Sequence, residues 1–325
     1  MSPWRILAAA TAVEVCFASA AVAALGLAGA VNGWLDLINC VAPLLIMTGV
    51  LGAAGARATW PKSRFRGVCV AAGAAAAAYG GLVSLPEAGG ALFGLAGGDP
   101  GGAPYRVVAA NVYRDNVVPF RAVPVLLDRR ADALIVVESS GLERARAILA
   151  AAYPYSSACQ DAGVEIWLRT PILAQGCRMP APPGAYKSVG QGFAWVRTLG
   201  PDGRPLVLAA VHLARPVPPR WQPIERRVLA DALAPFSGQR VLLAGDVNTA
   251  PWSFAMRELD RRLRPLQRWT FWRPTYPTLV KRQPTPALLP IDHVYANSGW
   301  RPAHIAQFRT PGSDHLALQI DARLQ

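Results

Sequence analysis

The sequence predicts an α/β domain of two packed β-sheets with helices outside, preceded by three membrane-spanning helices. Three observations carry this. Nearly uncharged runs crowd the first 85 residues, eight short apolar runs rich in Val, Ile and Leu come later, and amphipathic segments separate only some of those eight. Continuous apolar runs imply strands covered on both faces. Strands that follow one another without helices, late in the chain, imply two packed sheets rather than one doubly wound sheet.

The anchor comes first. Residues 6–30, 37–56 and 68–85 are rich in Ala, Val, Leu and Gly, and each is near the ~20 residues that a helix needs to cross a bilayer. Two readings of the first run stand open. Arg5 before it and the small residues ASAAVAA at its end suit a cleaved signal peptide, whereas Glu14 within it and the two spans after it suit an uncleaved helix. Inside a span Glu14 is by position a functional candidate, and a pairing partner between helices is the simpler reading. The loop RATWPKSRFRG carries Arg57, Lys62, Arg64 and Arg66, while VNGWLD carries no Lys or Arg. Basic loops stay cytoplasmic, so the N-terminus is expected inside and everything after about residue 90 outside, in the periplasm of a bacterial inner-membrane protein.

The exported part is basic. The whole chain carries +13, and beyond Glu87 there remain 28 basic against 17 acidic residues, nearly all the basic ones Arg. Such a field concentrates phosphate-bearing substrates or anionic lipid headgroups; Arg-rich coding bias explains the same excess. Cys16, Cys40 and Cys69 fall in the spans. Cys159 and Cys177 flank the strand candidate VEIWLRT, where an oxidising compartment would allow a disulfide.

Three segments result: an anchor over 1–85, a Gly/Pro-rich linker over 86–104 (PEAGGALFGLAGGDPGGAP) and one domain over 105–325. Its strand candidates are YRVVAANV, ALIVVES, VEIWLRT, FAWVRTL, LVLAAVHL, RVLLAGDVN, IDHVYAN and HLALQIDA. VPFRAVPVLLDRRA, GLERARAILAAAY, IERRVLADALAPF and SFAMRELDRRL read as amphipathic helices.

Polar residues recur at the strand ends. Asn111 ends YRVVAAN, Glu138 ends ALIVVE, His212 nearly ends LVLAAVH, Asp246 and Asn248 end VLLAGDVN, Asp292 opens IDHVYAN, and Asp314 and His315 precede HLALQI. One such residue is commonly a turn former. The set is harder to dismiss, since two of only four histidines belong to it.

The ordered set NVYRDN, VVES, VEIWLRTPI, AVHL, GDVN, IDHV and SDHL resembles the endonuclease/exonuclease/phosphatase superfamily, the deoxyribonuclease I-like hydrolases of phosphate esters, over nearly all of residues 105–325. The resemblance implies a four-layer α/β sandwich around two mixed sheets. It implies Glu138 as principal ligand of Mg²⁺ (or Mn²⁺), with Asn111 beside it and Asp314 adding charge near the metal; hard oxygen donors suit that ion. Asp246 would activate the attacking water. Asn248, His212 and His315 would hold the phosphate, and Asp292 would fix the tautomer of His315. Glu165, at the start of a strand, is a candidate to orient His212 or a solvent-facing residue. Asn116 completes an N-x-x-x-x-N spacing that an Asx turn also explains. Arg169 and Arg215 are candidates to touch substrate, and Trp167 and Trp252 read as core aromatics.

Three function classes follow. One is a membrane-anchored phosphodiesterase acting on nucleic acid or a phospholipid headgroup; another is a phosphomonoesterase on a small phosphorylated molecule. The last, a silent binding protein, is expected to lose carboxylates that this chain keeps. No helix-turn-helix, zinc finger or aromatic RNA-binding motif selects nucleic acid.

Overall fold

In the computed structural model, residues 2–93, 101–157, 159, 163–178, 192–281 and 283–325 are described. The chain divides into two compact units, Met1–Gly90 with Ala250–Arg257, and Ala91–Thr249 with Glu258–Gln325.

Ala-, Leu- and Gly-rich stretches with few charges fold as helices α1 (Pro3–Ala28), α2 (Gly33–Asp36), α3 (Ala42–Thr59) and α4 (Arg64–Phe93). Three candidate spans result, Pro3–Ala28, Gly33–Thr59 and Arg64–Gly90, with mean hydropathy of 2.0, 2.0 and 1.8. Small residues let two of these helices touch: a Cβ on Gly49 would collide with the Gly73 carbonyl, the close approach expected where apolar burial alone does not join helices. Some polar groups of the helices bond one another. Ser19 Oγ donates to Thr48 Oγ1 at 2.9 Å, and Tyr79 OH to Asn39 Oδ1 at 2.7 Å. Glu14, expected to pair between helices, is instead exposed on α1. The linker expectation also needs correction at its start. Pro86 lies inside α4, which continues to Phe93, because proline is tolerated in long apolar helices; residues 94–100 lie outside the described set.

The second unit carries two mixed six-stranded sheets with helices. The strands are β1 (Ala103–Asn111), β2 (Ala133–Val137), β3 (Tyr155–Ser156), β4 (Val164–Leu168), β5 (Ala174–Arg178), β6 (Gly192–Leu199), β7 (Pro205–His212), β8 (Arg240–Asp246), β9 (Gln267–Arg268), β10 (Leu279–Val280), β11 (Gln283–Pro284), β12 (Asp292–Ala296), β13 (Trp300–Arg309) and β14 (Leu316–Leu324). One sheet runs β13-β14-β1-β2-β4-β3, the other β5-β6-β7-β8-β12-β9, and β10-β11 is a small hairpin. Its helices are α5 (Pro119–Leu127), α6 (Arg146–Ala152) and α7 (Gln222–Leu233), while α8 (Phe254–Arg262) is divided between the two units.

Alternation assigns the faces. Val107, Ile135, Ile166 and Leu168 of the first sheet meet Leu206, Leu208, Leu242 and Val294 of the second in one buried cluster. Val108, Leu134, Val136 and Trp167 turn the other way, against Val123, Leu126 and Leu149 of the outer helices. The four-layer sandwich is therefore correct. Strand β13 escaped the sequence reading, because Pro302 and the charges in WRPAHIAQFR break the apolar pattern. It is an edge strand with a register shift between Pro302 and His304, where proline is admissible.

Two parallel pairings set up the functional rim. β1 runs parallel to β2, matching Asn111 with Val137, and β7 runs parallel to β8, matching His212 with Asp246. β12 runs antiparallel to β8 and matches Asp292 with Asp246. The carboxyl ends of β1 and β2 thus lie side by side in the first sheet, and those of β7 and β8 beside the start of β12 in the second.

Candidate active site

Glu138 follows β2 with φ of 57°, and Asn248 follows β8 with φ of 53°. Left-handed backbone is unfavourable for a glutamate and tolerable for an asparagine, so both carry strain of the kind that gathers at functional sites. Gly245, one residue before Asp246, has no substitute: a Cβ there would collide with the Val211 carbonyl of the neighbouring strand.

The side chains converge. Asn111 Nδ2 donates to Glu138 Oε1 at 3.3 Å and to Asp246 Oδ2 at 3.1 Å. His212 Nε2 lies 3.8 Å from Glu138 Oε1 and 3.7 Å from Asp246 Oδ2. His315 Nδ1 is bonded to Asp292 Oδ2 at 2.8 Å, and its Nε2 sits 3.9 Å from Asp246 Oδ2 and 4.0 Å from Asp314 Oδ1. Asn248 N donates to Asp246 Oδ1 at 2.8 Å, while Asn248 Nδ2 donates to Leu213 O at 2.9 Å. Ser313 ties the ends together: its Oγ donates to Asn111 O at 2.6 Å and accepts from His315 N at 3.0 Å.

Charge follows from this geometry. Burial, followed by neighbouring Asp292, raises the Asp246 carboxyl above its usual range. Burial opposes the charged form of His315, but the Asp292 carboxylate outweighs it and holds the imidazole up at about 10. For Glu138, burial is outweighed by His212, the Arg114 N–H and Asn111, and the net shift is downward. Asp314 moves upward, through burial despite the attraction of His315, with Glu138 adding to the rise.

Asp246, Asp292 and His315 each bring one ligand atom within 4.8 Å of the others, a spacing that could hold a metal ion. Glu138 is the more open carboxylate, with 16 % side-chain exposure against 2 % for Asp246. Asn111 Oδ1 accepts from Tyr113 N at 3.0 Å, and its amide group bridges the Glu138 and Asp246 carboxylates as a donor.

Eight sequence candidates therefore meet at one rim: Asn111, Glu138, His212, Asp246, Asn248, Asp292, Asp314 and His315. Glu165 does not orient His212; it pairs with Arg146 Nη1 at 2.7 Å. Its register opposite Val136 places it on the helix-covered face of the first sheet, while its neighbours Val164 and Ile166 face the second. Asn116 closes an Asx turn onto Val118 N and bonds Val112 O and Pro311 O. Arg169 bonds Ala131 O away from the rim, and Trp167 and Trp252 are buried. Cys159 and Cys177 form a disulfide with 5.8 Å between Cα atoms.

Three neighbours of the site carried no sequence signal. Tyr276 places its ring 4.9 Å from the His315 imidazole, and burial, followed by neighbouring Asp314, raises its hydroxyl above the usual range. Gln222 and Glu225 of α7 bond the loops that carry His212 and Asn248. All three lie in segments whose composition marks only loops and an amphipathic helix.

Comparison with known proteins agrees with this architecture. No curated protein matches the chain. Among solved structures, an endonuclease/exonuclease/phosphatase protein from Beutenbergia cavernae is 21 % identical over 68 % of this chain and 72 % of its own, with a TM-score of 0.52. TDP2 from D. rerio, complexed with single strand DNA product, is 15 % identical over 68 % and 99 %, with a TM-score of 0.54. Beta toxin from Staphylococcus aureus is 12 % identical over 68 % and 100 %, with a TM-score of 0.52. These likenesses concern the fold. The model of the Endonuclease/Exonuclease/phosphatase family matches residues 108–315, from β1 to the terminal Asp-His, and the chain belongs to that family.

Proposed function

We propose that the protein is a membrane-anchored, divalent-metal-dependent hydrolase of phosphate diesters whose catalytic domain faces the periplasm. One observation carries the reading: four carboxylates, two imidazoles and Asn248 meet at the rim formed by β1, β2, β7, β8 and β12. Oxygen donors of this density suit Mg²⁺ or Mn²⁺, with Glu138 and Asp314 as the protein ligands, since Asp292 is committed to His315. Such an ion would supply electrophilic stabilisation of a phosphate oxygen.

The chain's own groups do the rest. Asp246, held by two N–H donors, accepts a proton from the attacking water, and burial gives it the basicity for that task. His315, kept protonated by Asp292, and His212 face the charge that develops on phosphorus-bound oxygen. Asn248 grips a non-bridging oxygen without adding charge. The basic surface favours an anionic substrate, and the basic loop over 57–66 favours export of the domain.

The test is hydrolysis by the full chain in detergent, with plasmid DNA, single-stranded RNA, phospholipid vesicles and a phosphomonoester as separate substrates. Mg²⁺-dependent turnover of a diester, abolished by EDTA and lowered at least a thousandfold by Asp246→Asn, is the expected result. Turnover of the monoester alone would move the substrate class. Equal rates for wild type and Asp246→Asn on every substrate would remove the catalytic assignment.

A further inference from the structure

Behind the rim, one buried carboxamide joins two catalytic loops. Gln222, at the first position of α7 and 3 % exposed, donates through Nε2 to Ala214 O at 2.6 Å and to Val247 O and Asn248 O at 3.3 Å. Its Oε1 accepts from Thr249 Oγ1 at 3.1 Å and from Arg226 Nη1 at 3.3 Å. Arg226 is itself fixed by Glu258 through Nε at 3.2 Å and Nη2 at 2.8 Å. Both ends of the Gln222 amide are thus saturated, and it cannot rotate without stranding buried carbonyls.

The groups it reaches are informative. Ala214 stands two residues after His212, and Val247, Asn248 and Thr249 follow Asp246 directly. The two loops are otherwise joined by Leu213 N to Asp246 O at 2.9 Å and by Asn248 Nδ2 to Leu213 O at 2.9 Å. Asn248 has the left-handed backbone described above, which costs free energy unless its surroundings hold it.

We infer that Gln222 is a positioning residue that latches the His212 loop to the Asp246–Asn248 loop and holds Asn248 in its left-handed conformation. It acts through Asn248 and touches no substrate. The hydrolytic part of this inference rests on the reading above, and the test separates the two.

In the full-length protein, Gln222→Leu keeps the volume and removes both hydrogen-bonding ends. Hydrogen exchange at the Leu213 and Asn248 amides is expected to accelerate at least tenfold, whether or not a substrate is known. On the hydrolysed diester, kcat/KM is expected to fall at least tenfold in the wild-type background but less than twofold in Asn248→Ala, because residues that act as one unit lose function together. Unchanged exchange overturns the latch, and so do losses that simply multiply in the double variant. A wild type that turns over no substrate overturns the hydrolase reading, while the exchange experiment still decides the latch. Should Gln222→Leu not fold, Thr249→Val removes the hydroxyl that bonds Oε1 and Val247 O, and the same exchange comparison applies with a twofold to fivefold acceleration expected.

Discussion

Asp292 and His315 stand 23 positions apart and meet at 2.8 Å, which makes their division of labour testable. If Glu138 is a metal ligand and Asp292 only a partner of His315, then 5 mM Mn²⁺ should raise the unfolding temperature of wild type and Asp292→Asn but not of Glu138→Gln. The reverse ordering would place the ion among Asp246, Asp292 and His315, whose ligand atoms also converge. Asp292→Asn should still lower kcat by roughly a hundredfold, the size of effect seen when an orienting partner is lost. Glu225 offers a prediction on stability. Burial raises its carboxyl to about 7, opposed by the Ala214 N–H. A carboxyl raised in the folded state contributes stability at low pH that is lost as pH climbs from the ordinary glutamate range through 7. Glu225→Gln should therefore gain stability over wild type at pH 8, by up to about 3 kcal/mol, and little at pH 4, as measured by denaturant unfolding. An equal effect at both pH values would show that the buried charge is not the cause.

Among the elements, β2 shows how far local pattern reaches. ALIVV is apolar at every position, and both faces prove buried: Ile135 looks toward the second sheet and Leu134 toward the helices. Ile135→Ala should cost about 2–5 kcal/mol, the range for cavities in a packed core, and should lower the urea midpoint without changing the slope. Pattern also gave the amphipathic helices, since GLERARAILAAAY and IERRVLADALAPF coincide with α6 and α7 to within a few residues. Pattern failed at β13 and at Glu165. Proline and charge hide an edge strand, and a carboxylate one position from an apolar neighbour has a face that only pairing register decides.

At the scale of the whole molecule, compartment and covalent structure meet in the cysteines. Cys159 and Cys177 are joined, whereas Cys16, Cys40 and Cys69 of the helices are free. A domain exported to an oxidising compartment keeps that bond, and a cytoplasmic one loses it. Alkylation of intact cells, followed by reduction and a second label, should find Cys159 and Cys177 blocked until reduction. Immediate labelling of both would place the domain in the cytoplasm and reverse the expected topology.

The sequence by itself determined the three apolar helices, the class of fold and the identity of the polar residues at the strand ends, because hydrophobic length and period are local properties of the chain. Tertiary structure alone decided which of those residues touch. Parallel pairing sets Asn111 beside the end of β2 in one sheet and His212 beside Asp246 in the other, packing of the two sheets brings these groups together, and the antiparallel register of β4 on β2 sets Glu165 against Arg146 on another face. Gln222 was invisible for the same reason. It works through backbone carbonyls of distant loops, and every residue carries a carbonyl, so no side-chain pattern marks the ones it will reach.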